Sequence, residues 1–262
     1  MFQRVAYDNC PLCTHEEVDV VGTFPCRQHA LWRPTLPDTM RWLSCTRCGH
    51  VFVDGHFDDE ALAVLFAGAN AHQLPGLADL DRGRMLSAHI IERVVRLRGR
   101  AGGRWLDVGF GNGTLVTTAV EYGFTAVGVD VREAAVAQLR AEGYEAHCAT
   151  LETFQSKDAF DVVSLCDVLE HMPFPRLALT RAKALLAPGG TLLVTAPNLD
   201  CHQWKALDRA GKNPYWSELE HLHNFGRARL ETLLVELGFA PAWYSVSERY
   251  LAGMEVYATL VS

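Results

Sequence analysis

The chain has 262 residues, of which 49% are hydrophobic and 21% charged, enough for one large α/β domain of ~100 to 200 residues plus a small appendage. A formal charge of −7 argues against a broad phosphate-binding surface and so against a nucleic-acid partner. No run reaches the ~18 apolar residues of a membrane span, and "MFQRVAYDNCPLC" lacks the apolar core of a signal peptide, so no membrane partner and a cytoplasmic location are expected.

Residues 1–55 are predicted to form a small, loop-rich module carrying two cysteine pairs, Cys10 and Cys13 in "CPLC" and Cys45 and Cys48 in "CTRCG". Each C-x-x-C knuckle puts two thiolates on one tight turn, and two knuckles make the tetrahedral sulfur shell that Zn²⁺ favours. The 31 residues between the knuckles exceed the ~15 to 20 of a short ribbon, which calls for an inserted loop. Cys26 and His29 in "FPCRQH" fall inside that loop as alternative ligands. A shell with no open position makes the expected zinc structural. Arg4, Arg27, Arg33, Arg41 and Arg47 are outnumbered by Asp8, Glu16, Glu17, Asp19, Asp38 and Asp54, so this module is expected to dock a partner or cover a pocket rather than bind nucleic acid.

Residues 56–100 are predicted to be a helical cover or linker. "DDEALAVLFAGA" has helical spacing, "HQLPGLAD" interrupts it, and "MLSAHIIERVVRL" resumes it with Met85, Leu86, Ile90, Val94 and Leu97.

Residues 101–262 alternate strand and helix. "RWLDVG", "TAVGVD", "EAHCA", "FDVVSLC" and "TLLVTAP" read as strands, and "GTLVTTAVEYG", "REAAVAQLRAEG" and "FPRLALTRAKALLAPGG" as helices. This alternation predicts a parallel sheet covered on both faces. "RARLETLLVELGF" adds a helix, and "AWYSVS" with "EVYATLVS" adds two strands whose pairing is expected to be antiparallel.

"DVGFGNG", at 107–113, sits at the carboxyl end of the first of these strands, where open parallel sheets bind ligands. Gly109, Gly111 and Gly113 clear side chains from the backbone and permit positive φ. Asp130 ends the next strand, where a carboxylate can accept both hydroxyls of a ribose. The dinucleotide fingerprint spaces its glycines G-x-G-x-x-G. Here the spacing is G-x-G-x-G behind Asp107, an acid that repels a pyrophosphate and suits a cationic ligand.

Five blocks in order, "LDVGFGNG", "VGVD", "FDVVSLCDVLEHM", "APGGTLLVTAPN" and "EHLHNFGRARLETLLVELGF", make residues 100–240 resemble the class I S-adenosylmethionine-dependent methyltransferases. The resemblance implies an α/β, Rossmann-like seven-stranded methyltransferase sheet behind the small N-terminal zinc-binding module, with S-adenosylmethionine as cofactor. It implies Asp107 and Gly109 near the methionine end, Gly111 allowing close passage, Asp130 on the ribose, Val131 and Leu151 flanking the adenine, and Cys166 and Asp167 lining the cofactor. Phe110 departs from the pattern, where many relatives carry a small residue or cysteine, and is expected to shape the pocket.

A zinc ribbon joined to such a domain looks like the arrangement of bacterial sugar C-methyltransferases and related biosynthetic enzymes. That likeness implies a small-molecule acceptor (a sugar, natural-product or surface-glycan intermediate) and a base from Glu220 and His221 in "SELEHLHNF", with His171 of "EHM" positioning or polarising the acceptor. A Glu beside a His raises imidazole basicity if the two side chains turn together. His223 reads as structural, and Trp204, Tyr215 and Trp216 as an acceptor wall or as loop packing. Sugar C-methyltransferases carry a large C-terminal domain with no counterpart after Ser262, which leaves O-, N- and C-acceptors open. A zinc-ribbon scaffold whose methyltransferase-like domain performs no catalysis is the competing expectation.

Overall fold

The computed structural model describes residues 2–67 and 77–261. The interruption read at "HQLPGLAD" lies largely outside the described residues. The chain forms two compact units, one of residues 1–72, 170–176 and 197–233, the other of residues 73–169, 177–196 and 234–262.

In chain order the elements begin with the strands β1 (Val5–Ala6), β2 (Val18–Pro25), β3 (Thr39–Cys45), β4 (Val51–Val53) and β5 (Gly55–His56), followed by the helices α1 (Asp59–Ala67) and α2 (Leu77–Arg98). Then come β6 (Gly103–Val108), α3 (Thr114–Glu121), β7 (Phe124–Asp130), α4 (Glu133–Ala141), β8 (Glu145–Cys148), β9 (Phe160–Cys166), α5 (Pro175–Leu185) and β10 (Leu186–Pro197). The last are α6 (His202–Arg209), β11 (His223–Asn224), α7 (Arg227–Glu236), β12 (Phe239–Val246) and β13 (Gly253–Leu260).

The first unit is built on an antiparallel four-stranded sheet, β11-β4-β3-β2, with a small β1–β5 pair beside it. This region was expected to be loop-rich, yet β2 and β3 are eight and seven residues long. The difference has a physical cause. Most of β2 is exposed, so it carries no apolar alternation, and its strand conformation is held by the ladder to β3 from Val18↔Cys45 to Pro25↔Thr39. Met40, Trp42, Val53, Phe57, Leu219 and Leu222 share one buried cluster, and the Trp42 indole donates to the Trp216 carbonyl at 2.9 Å.

The second unit contains a seven-stranded sheet in the order β12-β13-β10-β9-β6-β7-β8. The β10–β9, β9–β6, β6–β7 and β7–β8 pairs are parallel, and β12–β13 is antiparallel as expected. Trp105, Leu106, Val162, Val163, Leu192 and Leu193 are fully buried, the mark of strands covered on both faces. Strand order runs outward from β6 to β8 and then returns to β9 on the other side of β6. That reversal is the switch point where loops diverge and a ligand can enter.

Helices α3 and α4 turn Leu115, Val116 and Ala119, and Val136 and Leu139, toward the core. On α2, Ile90, Ile91 and Val94 join the same cluster, whereas Met85, expected on that stripe, is exposed. Five residues advance an α-helix by about 140° at 3.6 residues per turn, which takes Met85 off the face of Ile90. The helix read as ending at "APGG" stops at Leu185, and the chain enters β10 at Leu186, paired with Phe160, before the register shifts to Thr191↔Val162. Among the described residues no helix is long and apolar enough to cross a membrane.

Candidate functional site

The carboxyl edge of β6, β7 and β9 gathers the residues expected to hold a cofactor. Gly109 and Gly111 adopt φ of +65° and +62°, which an L side chain resists. At Gly109 a Cβ would lie 2.6 Å from Val168 Cγ2, so this glycine is also a packing requirement. At Gly111 a Cβ would meet nothing within 4 Å. The open side of the loop therefore lies at Gly111.

Asp130, at the end of β7, is almost fully buried and reaches back to that loop: Gly111 N donates to its Oδ2 at 3.3 Å. Arg132 takes most of the remaining acceptor capacity. Its main-chain N and Nε donate to Oδ1, both at 2.9 Å, and Nη2 donates to Oδ2 at 2.8 Å and to the Gly111 carbonyl at 3.0 Å. Val131 is exposed beside this pair, and Leu151 is buried.

Phe110, expected to shape the pocket, instead turns into the core: a Cβ on Gly128 would meet its Cδ1 at 2.7 Å. A phenyl ring gains more from that burial than from lining a polar groove.

Asp107 is buried and accepts from Ser164 Oγ at 2.6 Å. Burial pushes its carboxyl up to about 7, against the lowering effects of the Ser164 hydroxyl and the Arg249 charge. Cys166 is held as a neutral thiol, its pKa raised chiefly by burial. Asp167 has a φ of +57°, rare for a residue with a side chain, and is fixed by three contacts. Its N donates to the Thr195 carbonyl at 3.1 Å, its Oδ1 accepts from Thr195 Oγ1 at 2.7 Å, and its Oδ2 lies 3.5 Å from Arg249 Nη1.

The first unit holds His171, His221 and His223. His171 ends a short 3-10 turn, Leu169–His171, and its Nδ1 donates to the Glu220 carbonyl at 3.0 Å. Because a carbonyl oxygen only accepts, that bond makes Nδ1 a proton-bearing nitrogen. The His221 ring meets the His171 ring edge-on, with centroids 4.9 Å apart. Burial, then the neighbouring His171 and His29, drives the His221 pKa well below its ordinary value.

The Glu220 carboxylate does not pair with His221. It lies 3.3 Å from His29 Nε2, which also meets Glu218 Oε2 at 2.8 Å, a contact that raises the His29 pKa. Neighbouring residues on an irregular segment have no reason to point the same way, and here the adjacent main-chain turn separates them. His223 is fully buried between His50 Nε2 at 3.1 Å and the Met172 carbonyl at 2.9 Å, and burial lowers it to about 3. Trp204 and Tyr215 stack on each other at 4.8 Å, and Trp216 stacks on Phe24 at 5.3 Å, so these rings pack the unit.

The four knuckle cysteines converge. Their sulfurs lie within 4.8 Å of one another, with Cys10–Cys48 at 3.7 Å and Cys13–Cys45 at 3.6 Å. A tetrahedral shell of ~2.3 Å Zn–S bonds spaces its sulfurs about 3.8 Å apart, so the set fits that ion. Cys26 is instead buried in the apolar cluster with its Sγ 3.4 Å from the Pro37 carbonyl, and His29 pairs with the glutamates.

A family profile described as a methyltransferase domain matches residues 82–242, more than half of the chain. The chain belongs to the methyltransferase-domain family. A ubiquinone biosynthesis O-methyltransferase of Nitrobacter winogradskyi is 31% identical over 113 residues, which cover 41% of this chain and 42% of that enzyme. Magnesium protoporphyrin IX methyltransferase from Synechocystis PCC 6803, solved with S-adenosylhomocysteine, superposes with a TM-score of 0.62 at 15% identity over 78% of this chain and all of that one. The Burkholderia thailandensis 1,6-didemethyltoxoflavin N1-methyltransferase gives 0.57 at 20% identity over 83% of this chain and 98% of that one. These likenesses show the fold. The chain spans about half or less of the length of the curated relatives it matches.

Within the methyltransferase domain, three polar residues escaped sequence reasoning. Ser164 sits mid-strand and looks like any small β residue, Arg132 reads as a helix-start charge, and Arg249 lies in a loop with no motif.

Proposed function

We propose that this chain transfers a methyl group from S-adenosylmethionine to a small-molecule acceptor, in a reducing, cytoplasmic compartment. The observation that carries the reading is the joint geometry of the open side at Gly111 and the Asp130 carboxylate tied to the same loop. Asp130 would take the ribose hydroxyls, Val131 and Leu151 the adenine, and Asp107 with Asp167 and the Cys166 main chain the methionine ammonium. When bound, the cofactor supplies an electrophilic methyl on a sulfonium. A relative named for ubiquinone biosynthesis, and a protein of the same fold solved with bound 1,6-didemethyltoxoflavin, support a small acceptor.

Displacement on a sulfonium needs alignment, and a base when the nucleophile carries a proton. His171 is the base in this reading, its ring held by the bond from Nδ1 to the Glu220 carbonyl. His221, kept neutral by burial, supports that ring edge-on, and the Glu220 side chain anchors His29. Cys10, Cys13, Cys45 and Cys48 would hold a structural zinc. The spacing of their sulfurs supports this. In this reading residues 1–55 are the zinc module, 56–100 the helical connection and 101–262 the methyltransferase domain, of which 170–176 and 197–233 belong to the first unit.

Calorimetric titration with S-adenosylhomocysteine tests the reading. Micromolar binding by the metal-replete chain is expected, and no binding would favour a scaffold that performs no catalysis.

A further inference from the structure

The β12–β13 hairpin brings one cation to the edge where the acids lie. Its tip is ordered: Ser247 N donates to the Gly253 carbonyl at 3.0 Å, and Ser247 Oγ accepts from Arg249 N at 3.2 Å. From there Arg249 reaches Asp167 at the end of β9, which places the tip at the carboxyl edge of the sheet. Its charge also acts on Asp107 at the end of β6 and on Cys166.

The Arg249–Asp167 contact is 3.5 Å, longer than the ~2.7 to 2.9 Å of a charge-assisted hydrogen bond. A guanidinium carries five donors in a planar fork suited to two-point recognition of a carboxylate. A loose ion pair leaves that fork with donors to spare. Beside the Asp130–Arg132 pair, the edge thus combines the Asp107 and Asp167 carboxylates with the Arg249 guanidinium, the arrangement that complements an amino-acid zwitterion: acids for the ammonium, guanidinium for the carboxylate.

We propose that Arg249 receives the α-carboxylate of the cofactor's methionine portion. The assignment rests on the S-adenosylmethionine reading and deepens it by giving the amino-acid end of the ligand its cationic partner. An arginine that only neutralised Asp107 and Asp167, or that met an acidic acceptor, would leave the cofactor's own carboxylate without energetic consequence.

The test is a cycle of two ligands and two proteins, read by calorimetry on the full chain. The ligands are S-adenosylhomocysteine and its decarboxylated form, S-adenosyl-3-thiopropylamine, and the proteins are the wild type and Arg249→Met. Removing the carboxylate is expected to weaken wild-type binding about tenfold or more, as for loss of a hydrogen bond to a charged group. In Arg249→Met the same removal should cost less than about twofold. An equal penalty in both proteins overturns the proposal.

Binding of the decarboxylated ligand by the variant shows that it is folded. If Arg249→Met binds neither ligand, the neutral but polar Arg249→Gln takes its place in the cycle, where a reduced penalty supports the proposal and an unchanged one overturns it. A wild type that binds neither ligand removes the cofactor reading and this assignment together, whereas wild-type binding with an unchanged penalty removes only the assignment.

Discussion

Arg132 closes over Asp130, meeting both carboxylate oxygens at 2.8–2.9 Å and the Gly111 carbonyl at 3.0 Å. The acid assigned to the ribose is therefore already engaged, and ribose hydroxyls compete with the guanidinium for the same lone pairs. Replacing Arg132 with Ala should lower the melting temperature of the cofactor-free protein. It should also tighten S-adenosylhomocysteine by about tenfold, because the bond that binding must break is gone. Asp130→Ala should weaken the ligand by about tenfold or more. Titration of both variants checks the pair, and weaker binding by Arg132→Ala would show that the arginine helps hold the cofactor.

In the proposed role, Asp107 should make cofactor affinity depend on pH. Burial raises its carboxyl from the ordinary ~3.9 to about 7. Between those values the folded chain holds a proton that the unfolded chain has lost, so the stability of the cofactor-free protein falls as pH rises from about 4 to about 7. A ligand ammonium favours the ionised acid. Its affinity should therefore rise roughly tenfold between about pH 6 and pH 8, as the ionised fraction goes from about a tenth to about nine-tenths. Asp107→Asn should abolish this dependence. A flat profile in the wild type would place the ammonium elsewhere.

His171 and His223 should separate in kind. His171→Ala is expected to lower turnover by about a hundredfold with S-adenosylhomocysteine affinity within about twofold, the signature of a lost base. His223→Ala removes a bond to His50 and one to the Met172 carbonyl. It should cost about 2 to 3 kcal/mol of stability and spare turnover in the folded fraction. Steady-state rates beside thermal melts distinguish the two, and equal effects on both readouts would remove His171 from the chemistry.

Metal analysis of the purified chain should find about one zinc per molecule, lost on Cys45→Ser. Chelation should lower the melting temperature by about 10 °C or more, since a structural ion of this type contributes folding energy directly. A chain without metal that melts like the wild type would assign the four thiols another role.

Much of this protein was legible from short-range pattern. Glycines 109, 111 and 113 announce positive φ because the requirement is met or broken within one residue, and all three have it. "FDVVSLC" and "TLLVTAP" announce themselves because burial on both faces demands apolar runs, and their residues from Val162 to Leu165 and from Leu192 to Val194 are fully buried. The C-x-x-C pairs do so because two ligands on one turn is a local geometry. β2 escaped because an exposed strand has no such pattern and depends on its partner.

What the tertiary structure decided is where charged side chains end. Glu220 stands next to His221 in the chain, yet its carboxylate turns to His29, because the bond from His171 to the Glu220 carbonyl and the approach of the Cys26–His29 turn orient it. Arg249 reaches Asp167 only because the β12–β13 hairpin ends at the same sheet edge as β9. Local spacing dictates which backbone can form, since φ, ψ and periodicity act over a few residues. Which charge meets which depends on packing across the whole sheet, and no window of sequence contains it.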